Sequence, residues 1–183
     1  MRIIGGTAKG HAIKSPKGID TRPTLDRVRE SIFNVLAHRG LGGSSVLDLF
    51  SGTGAIAIEA LSRGAASATA VDFRTGKLIL ENAMHCRVES KLTILSKKLS
   101  QVQYFIENQQ FDYIFSDPPY QKGFIQDTIN LVENHNLLSQ GGIVILEHHK
   151  DEVFTTPNTW ECIKEQKFGY TMVSYFVKPS ERS

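Results

Sequence analysis

The chain has 183 residues, of which 40% are hydrophobic and 22% are charged, a composition typical of one soluble globular domain. It has no apolar stretch approaching the ~18 residues of a membrane span and no apolar N-terminal signal, so we expect a cytoplasmic protein. Its two cysteines, Cys86 and Cys162, lack the spacing of a zinc site or a disulfide framework.

The N-terminal segment is basic. Residues 1–39 contain eight Lys or Arg and three Asp or Glu, a net charge of +5, so the rest of the chain carries −3. Such a segment is either a surface for a polyanionic partner or a solvated basic face. Its glycine-rich start predicts a β-hairpin over residues 1–15. Thr24 is expected to cap a helix that ends near His38.

Beyond residue 40, strands alternate with helices, as in a doubly wound α/β sheet. Apolar runs predict strands near 45–50, 67–72, 91–95, 111–116 and 142–147. Helices are expected near 54–63, 74–88, 99–108 and 124–134. The last two strands, 161–167 and 170–177, leave no room for a helix and predict an antiparallel hairpin. We predict one domain, residues 1–183, with an N-terminal extension (1–39) and a core (40–183).

A glycine turn follows the first strand of this core. Gly52 and Gly54 permit a tight turn and a close approach of the backbone to a ligand, and the next helix points its N-terminal amides at the same place. A dinucleotide-binding G-x-G-x-x-G motif would require a third glycine, but this chain has Ala57. By itself the turn is equally compatible with a purely structural role.

Two acids near the turn favour a ligand. Asp48 lies within the end of the strand and suits a cationic or hydroxyl-rich ligand better than a pyrophosphate. Asp72 ends the next strand, at the position of a carboxylate that binds ribose hydroxyls, and Phe73 could lie against a purine ring. Together with the glycine turn, these residues predict a site for S-adenosylmethionine.

The second motif is Asp117-Pro118-Pro119-Tyr120, which ends another apolar run. An exocyclic aromatic amine is a poor nucleophile because its lone pair is delocalised into the ring. The Asp117 carboxylate and the Pro118 carbonyl could accept hydrogen bonds from the two N–H groups of such an amine. These hydrogen bonds would aim the nitrogen lone pair at a methyl donor. Pro118 and Pro119 hold the loop rigid, and Tyr120 offers a face for a flipped base. The alternative is a proline-rich structural turn.

The motifs resemble those of the RsmD-type family, bacterial enzymes that methylate the N2 amine of a guanine in 16S ribosomal RNA, nucleotide 966 in the family's usual name. The resemblance implies a Rossmann-like seven-stranded class I methyltransferase fold, S-adenosylmethionine dependence and an RNA-binding N-terminal β-hairpin extension. It rests on Arg2-Ile3-Ile4-Gly5-Gly6, Arg22-Pro23-Thr24, Arg27-Val28-Arg29-Glu30, Asp48 to Gly54, Asp117 to Tyr120 and Gly169-Tyr170-Thr171.

Site residues follow from the resemblance. It assigns cofactor binding to Asp48, Ser51, Gly52, Gly54 and Asp72, and catalysis to Asp117, Pro118, Pro119 and Tyr120. We add Phe50 and Phe73 to the predicted cofactor site. Related enzymes commonly have an acid that meets the adenine amine after the third strand, where this chain has Lys97. We therefore expect the adenine contact to come from backbone groups around Lys98 and Leu99.

Basic residues of the extension are the predicted RNA contacts: Arg2, Lys9, Lys14, Arg22, Arg27 and Arg29. The expected partner is 16S ribosomal RNA, within a 30S subunit or an assembly intermediate, and the expected oligomeric state is a monomer. We expect no metal, because Glu147-His148-His149 lacks a third ligand at useful spacing.

Two other classes of function remain open. One is an amino-methyltransferase acting on DNA adenine or protein glutamine; such enzymes often carry Asn-Pro-Pro-Tyr, and DNA enzymes usually need a larger recognition domain. The other is a non-catalytic RNA-binding module that keeps the fold, which the intact cofactor acids and catalytic loop disfavour.

Overall fold

A computed structural model describes residues 1–16 and 23–179. Within these residues, seven strands form one sheet: β1 (Ser45–Leu49), β2 (Ser67–Val71), β3 (Leu92–Leu95), β4 (Phe111–Ser116), β5 (Leu138–His149), β6 (Glu161–Phe168) and β7 (Thr171–Val177). Four α-helices cover it: α1 (Pro23–Ala37), α2 (Ala55–Ser62), α3 (Gly76–His85) and α4 (Phe124–Asn134). None of the helices in the described ranges is long and apolar enough to cross a membrane.

The strand order is β3-β2-β1-β4-β5-β7-β6. The first five strands are parallel, whereas β7 runs antiparallel to both β5 and β6. This topology confirms the predicted seven-stranded Rossmann-like fold. Strand order reverses direction at β1 and β4, so their carboxyl ends border a crevice where open α/β sheets bind ligands.

The segment 1–15 turns back on itself as the predicted hairpin, but its arms are short. The antiparallel Arg2–Ala12 bridge is flanked by hydrogen bonds from the Ile3 N–H to the His11 carbonyl at 3.0 Å and from the Ile13 N–H to the Met1 carbonyl at 2.9 Å.

Two local predictions need correction. The helix expected to begin after Thr24 already includes Pro23, whose fixed φ suits a first helical turn. The helix expected over 99–108 is a short 3₁₀ helix, Leu99–Tyr104.

The N-terminal segment is anchored to α2 through a buried carboxylate. Glu59, which is fully buried, accepts the N–H groups of Ile4 and Gly5 at 2.8 and 2.7 Å and pairs with Arg63 at 2.7 Å. Next to it, the Ser62 carbonyl accepts the N–H of Thr7 at 2.8 Å. These backbone donors are engaged by α2, which is why they do not extend the antiparallel pairing.

Glu59→Gln is expected to lower the free energy of unfolding by about 3–5 kcal/mol, because it leaves buried basic groups without their counter-charge. Urea unfolding measures the change. The matched control is Glu81→Gln, since Glu81 pairs with Lys14 at the surface and such pairs contribute about 0–1 kcal/mol. Equal losses in the two variants would contradict the role assigned to Glu59.

Period-two alternation along the strands decides which side chains face the crevice. Val46 and Asp48 of β1 point to the face covered by α1 and α2, whereas Leu47 and Leu49 point to the face covered by α4. On β4, Tyr113 and Phe115 belong to the first face, and on β5 Ile143 and Ile145 do. Continuing the alternation puts Asp117 and Glu147 on the same face as Asp48.

Candidate active site

Three carboxylates meet at the carboxyl ends of neighbouring strands. Strand pairing aligns Asp48 with Phe115 and Phe115 with Ile145. Two residues further along, β4 leads to Asp117 and β5 to Glu147. All three acids line one cavity of about 300 Å³. The wall is otherwise largely apolar and includes Ile32 of α1, Phe115 and Ile145.

The N-terminal extension closes one side of this cavity. Met1, Ser15, Pro16 and Arg29 contribute to its wall, and the Met1 sulfur lies 3.8 Å from the Thr53 hydroxyl of the glycine turn. The extension is thus part of the site itself.

Asp48 is held rigidly beneath the glycine turn. Its Oδ2 accepts the Ser51 hydroxyl at 2.5 Å and the Ala57 N–H, in the first turn of α2, at 3.2 Å. Burial raises the pKa of Asp48 to about 7, and these two hydrogen bonds oppose the rise. A positively charged ligand in the cavity would favour the ionised form of this carboxylate, because opposite charges attract.

The two glycines of the turn have different tasks. Gly54 has φ 81° and caps α2, and a Cβ there would lie 3.0 Å from Ile79. Gly52 has φ 57°, and a Cβ there would meet nothing within 4 Å. Gly54 is thus required for packing, whereas Gly52 borders open space that a ligand can fill.

Asp72 organises the turn instead of lining the cavity. Its carboxylate accepts the N–H groups of Gly52 at 3.1 Å, Arg74 at 2.9 Å and Thr75 at 3.1 Å. It is not among the residues that line either cavity at this edge of the sheet. Contact between Asp72 and a ribose therefore stays a prediction.

A second cavity of about 550 Å³ adjoins the first, and Phe50 lines both. Phe73, Lys98 and Leu99, the residues expected around adenine, line the second cavity, and Phe73 is half exposed. Phe124 of α4, which the sequence did not single out, packs against Phe50 at 5.3 Å between ring centroids. The first cavity is thus lined by three acids, and the second cavity is lined by three phenylalanine side chains.

Lys97, at the sequence position where related enzymes commonly have an acid, directs its ammonium group away from the second cavity. Its ammonium group lies 4.8 Å from the centroid of the Phe105 ring, and it does not line the second cavity. The expected adenine contacts through Lys98 and Leu99 agree with this placement, but stay a prediction.

The catalytic-loop acid has a partner that the sequence did not reveal. Asp117 is accessible from the cavity, yet surrounding protein desolvates it, and the charge of Glu147 adds to that effect; both raise its pKa well above the usual value. Burial likewise raises the pKa of Glu147 to about 7. The ionisation of Asp117 and the ionisation of Glu147 are therefore linked.

Tyr120 is fixed by its hydroxyl group. The hydroxyl lies 2.7 Å from the Thr171 hydroxyl and donates weakly to Glu147 at 3.5 Å. Burial raises the pKa of Tyr120 to about 12, so the phenol stays protonated. Pro118 is buried and Pro119 is exposed; with Tyr120 they support the loop next to the first cavity without lining it.

The predicted RNA contacts divide into two groups. Arg2, Lys9, Lys14 and Arg27 are exposed. Arg29, in contrast, is buried, with its guanidinium donating to the Arg2 carbonyl and to Asp26. This burial corrects the expectation of a surface phosphate contact for Arg29; one of its terminal nitrogens instead links α1 to the N-terminal segment. Arg22 lies outside the described residues.

Within residues 1–16 and 23–179, no group of three or more His, Cys, Asp or Glu side chains could hold a metal ion. In the segment Glu147-His148-His149, the His148 Nε2 lies 2.9 Å from the buried Ser174 hydroxyl, so this nitrogen is engaged within the protein.

The fold is that of a class I methyltransferase. A solved Escherichia coli structure, provisionally described as a methyltransferase, superposes with a TM-score of 0.87 at 29% identity, covering 99% of both chains. A ribosomal protein L11 methylase from Lactobacillus delbrueckii has the same fold, with a TM-score of 0.70 at 16% identity over 92% of this chain and 86% of that one.

The family described as Conserved hypothetical protein 95 matches residues 1–177. Ribosomal RNA small subunit methyltransferase D of Escherichia coli K12 is 32% identical over 99% of this chain and 91% of its own. The Haemophilus influenzae protein of the same name is 31% identical over 96% and 91%. The chain therefore belongs to this family, the RsmD-type methyltransferases, as its motifs predicted.

Proposed function

We propose that this protein transfers a methyl group from S-adenosylmethionine to the N2 amine of a guanine in 16S ribosomal RNA, nucleotide 966 in the family's naming. The observation that carries the proposal is the convergence of Asp48, Asp117 and Glu147 on one cavity. Family membership supports ribosomal RNA as the substrate, since the relatives are named for it.

The described residues fit the cofactor. Asp48 supplies a buried negative charge at the first cavity, Gly52 leaves open space beside it, and the second cavity adds the exposed Phe73 ring. When bound, S-adenosylmethionine supplies an electrophilic methyl group on a cationic sulfur. The protein's own task is to hold the acceptor amine and exclude water.

Two carboxylates favour guanine as the acceptor base. The edge of guanine that carries N2 presents two adjacent donors, the N1–H and the amine, whereas adenine has an acceptor at N1 beside its amine. Asp117 and Glu147 come from neighbouring strands and face the same cavity. We assign Asp117 to the amine, where it accepts an N–H and aims the lone pair. Methylation would leave this nitrogen with one proton to lose, and Asp117 or water would accept that proton.

The exposed basic residues of the extension supply the proposed phosphate contacts. Arg2, Lys9, Lys14 and Arg27 lie outside the cavity wall, where a bound RNA backbone can reach them. Such a small surface reads one ribosomal site poorly, so we propose that the substrate is the 30S subunit or an assembly intermediate, whose proteins complete the recognition.

Transfer of labelled methyl from S-adenosylmethionine to 30S particles lacking the modification tests the function. We expect N2-methylguanosine in digests of 16S RNA, identified by mass spectrometry, and less transfer to naked 16S RNA. No label in RNA despite cofactor binding, measured by calorimetry, would refute the RNA assignment. Equal transfer to naked RNA would refute only the particle preference.

Activity is expected to rise with pH through about 7, because Glu147 and Asp48 have pKa values raised to about 7 and an ionised carboxylate is the better acceptor. In Glu147→Gln, the pKa of Asp117 falls because a neighbouring negative charge is lost. The acid limb of the kcat/KM profile therefore moves to lower pH. Glu161→Gln, on the far edge strand, is the control; an unmoved acid limb in Glu147→Gln would contradict this coupling.

A further inference from the structure

An exposed aromatic side chain stands at the turn between β6 and β7. Tyr170 follows Gly169 and is 71% exposed. Its ring is nearly parallel to that of His149, with an interplanar angle of 6° and 5.8 Å between centroids, the geometry of offset stacking. A tyrosine this exposed contributes little to the core, so packing does not explain its presence.

The aromatic contact continues to the catalytic loop. The His149 ring lies 5.9 Å from the Tyr120 ring, and Thr171, the neighbour of Tyr170, holds the Tyr120 hydroxyl at 2.7 Å. The backbone N–H of Asp151 donates to His149 Nδ1 at 3.2 Å and fixes the ring. Tyr120, His149 and Tyr170 therefore form a continuous row of rings from the active site to the surface.

A cation accompanies the outer ring. Lys150 Nζ lies 5.7 Å from the centroid of Tyr170, and the Lys150 N–H donates to the Tyr170 carbonyl at 2.8 Å, which fixes their relative position. Lys122, next to the catalytic loop, is also exposed. Asp151 offsets part of this charge, 3.5 Å from Lys150, so stacking must supply more of any affinity than charge does.

We propose that Tyr170, supported by His149 and Lys150, is a stacking platform for an unpaired ribosomal RNA nucleotide next to the methylated guanine. The inference rests on the proposed function. A base that enters the cavity has left its stack, so its neighbour loses a stacking partner. An unstacked base binds an exposed aromatic ring with a nearby cation, and any of the four bases can stack in this way.

Tyr170→Ala tests the platform. We expect its Kd for unmodified 30S particles to rise about tenfold, while cofactor affinity and the circular dichroism spectrum stay those of the wild type. Tyr170→Phe keeps the stacking face and is expected to bind normally. Tyr104→Ala removes an aromatic that is equally exposed, at 76%, on the 3₁₀ helix, and is the matched control.

An abasic scan identifies the partner nucleotide. Particles reconstituted with an abasic residue on either side of the target guanine are compared, and one of the two is expected to bind the wild type about tenfold more weakly. That loss should disappear in Tyr170→Ala, because both changes remove the same contact. A wild type that does not methylate particles at all would refute the proposed function itself.

Given wild-type methylation, two results would overturn the platform alone. One is unchanged particle affinity in Tyr170→Ala. The other is weakened affinity that neither abasic position reproduces, which would assign Tyr170 to a ribosomal protein instead.

Discussion

Replacement of Asp117 by alanine is expected to lower methyl transfer to RNA by at least about 10²–10³-fold, the usual effect of deleting one preorganised polar contact to a transition state. Cofactor affinity should stay within about twofold of the wild type, because Asp117 is assigned to the substrate amine. The fold should also persist, since the pKa of this carboxyl group is raised by desolvation and by Glu147 and its removal relieves an unfavourable charge.

Single-turnover transfer of labelled methyl measures the rate, and calorimetry measures S-adenosylmethionine binding. Glu161→Ala, which removes an exposed acid from the edge strand β6, is the control and should behave as the wild type. Cofactor binding lost in parallel with activity would refute the assignment of Asp117 to the amine. The methyl-transfer rate of Asp117→Asn should fall between those of Asp117→Ala and the control Glu161→Ala, because the asparagine side chain keeps one acceptor oxygen.

Replacement of Asp48 by asparagine is expected to weaken cofactor binding by at least about tenfold while making the cofactor-free protein more stable at pH 8. The loss of affinity follows from removing a buried charge that faces a cationic ligand. The gain in stability follows from the pKa of Asp48, which burial raises from its ordinary value of 3.8 to about 7.

The direction of the pH effect is fixed by that rise. Below pH 3.8 the carboxyl group is protonated in both folded and unfolded states. Between pH 3.8 and about 7 the unfolded chain ionises this group while the folded state keeps it protonated, so stability falls across that range and the loss is complete above about 7. A neutral asparagine side chain at this position avoids the loss. We expect about 1–3 kcal/mol above pH 7 and little difference at pH 4, measured by urea unfolding.

Asp112→Asn is a matched control on the opposite end of β4. Asp112 accepts the Ser45 N–H at 2.8 Å and the Ser139 hydroxyl at 3.2 Å, far from the cavity. We expect Asp112→Asn to lower stability and leave cofactor affinity unchanged. Weakened cofactor binding by both variants, or a stability of Asp48→Asn that falls at pH 8, would contradict the role of Asp48.

Those parts of the fold that depend on local sequence could be predicted. Apolar runs such as Val46–Leu49 and Ile114–Ser116 lie in strands β1 and β4, as predicted, because a buried parallel strand needs side chains that fit both faces. The glycine turn could also be predicted, because the turn from β1 into α2 requires a left-handed φ at Gly54.

Features that depend on register could not be predicted in the same way. The sequence indicates Glu147 only as a possible metal ligand. Like Asp117, however, it lies at the end of an apolar run. Its position beside Asp117 follows from the pairing of Ser116 with Leu146, which no single run reveals. One sequence signal could have indicated this pair: Asp117 and Glu147 lie at the carboxyl ends of two strands, β4 and β5, that α4 connects.

Long-range contacts explain the other differences. Arg29 lies between Val28 and Glu30 on α1 and resembles a surface residue, but the Arg2 carbonyl and Glu59 surround its guanidinium. The arms of the N-terminal hairpin are likewise short because Glu59 and Ser62 of α2 accept the N–H groups that follow the first arm. These interactions join residues far apart along the chain, beyond the reach of periodicity.

Anchoring of residues 1–13 to α2 limits how RNA binding can be dissected. Ile3, Ala8 and Ile13 are buried in the same core as α2, so deleting the segment would uncover apolar surface and remove the partners of Glu59. A truncated protein that failed to bind RNA would therefore report a damaged active-site wall and not a missing RNA contact. Only substitutions at its exposed basic side chains separate the two.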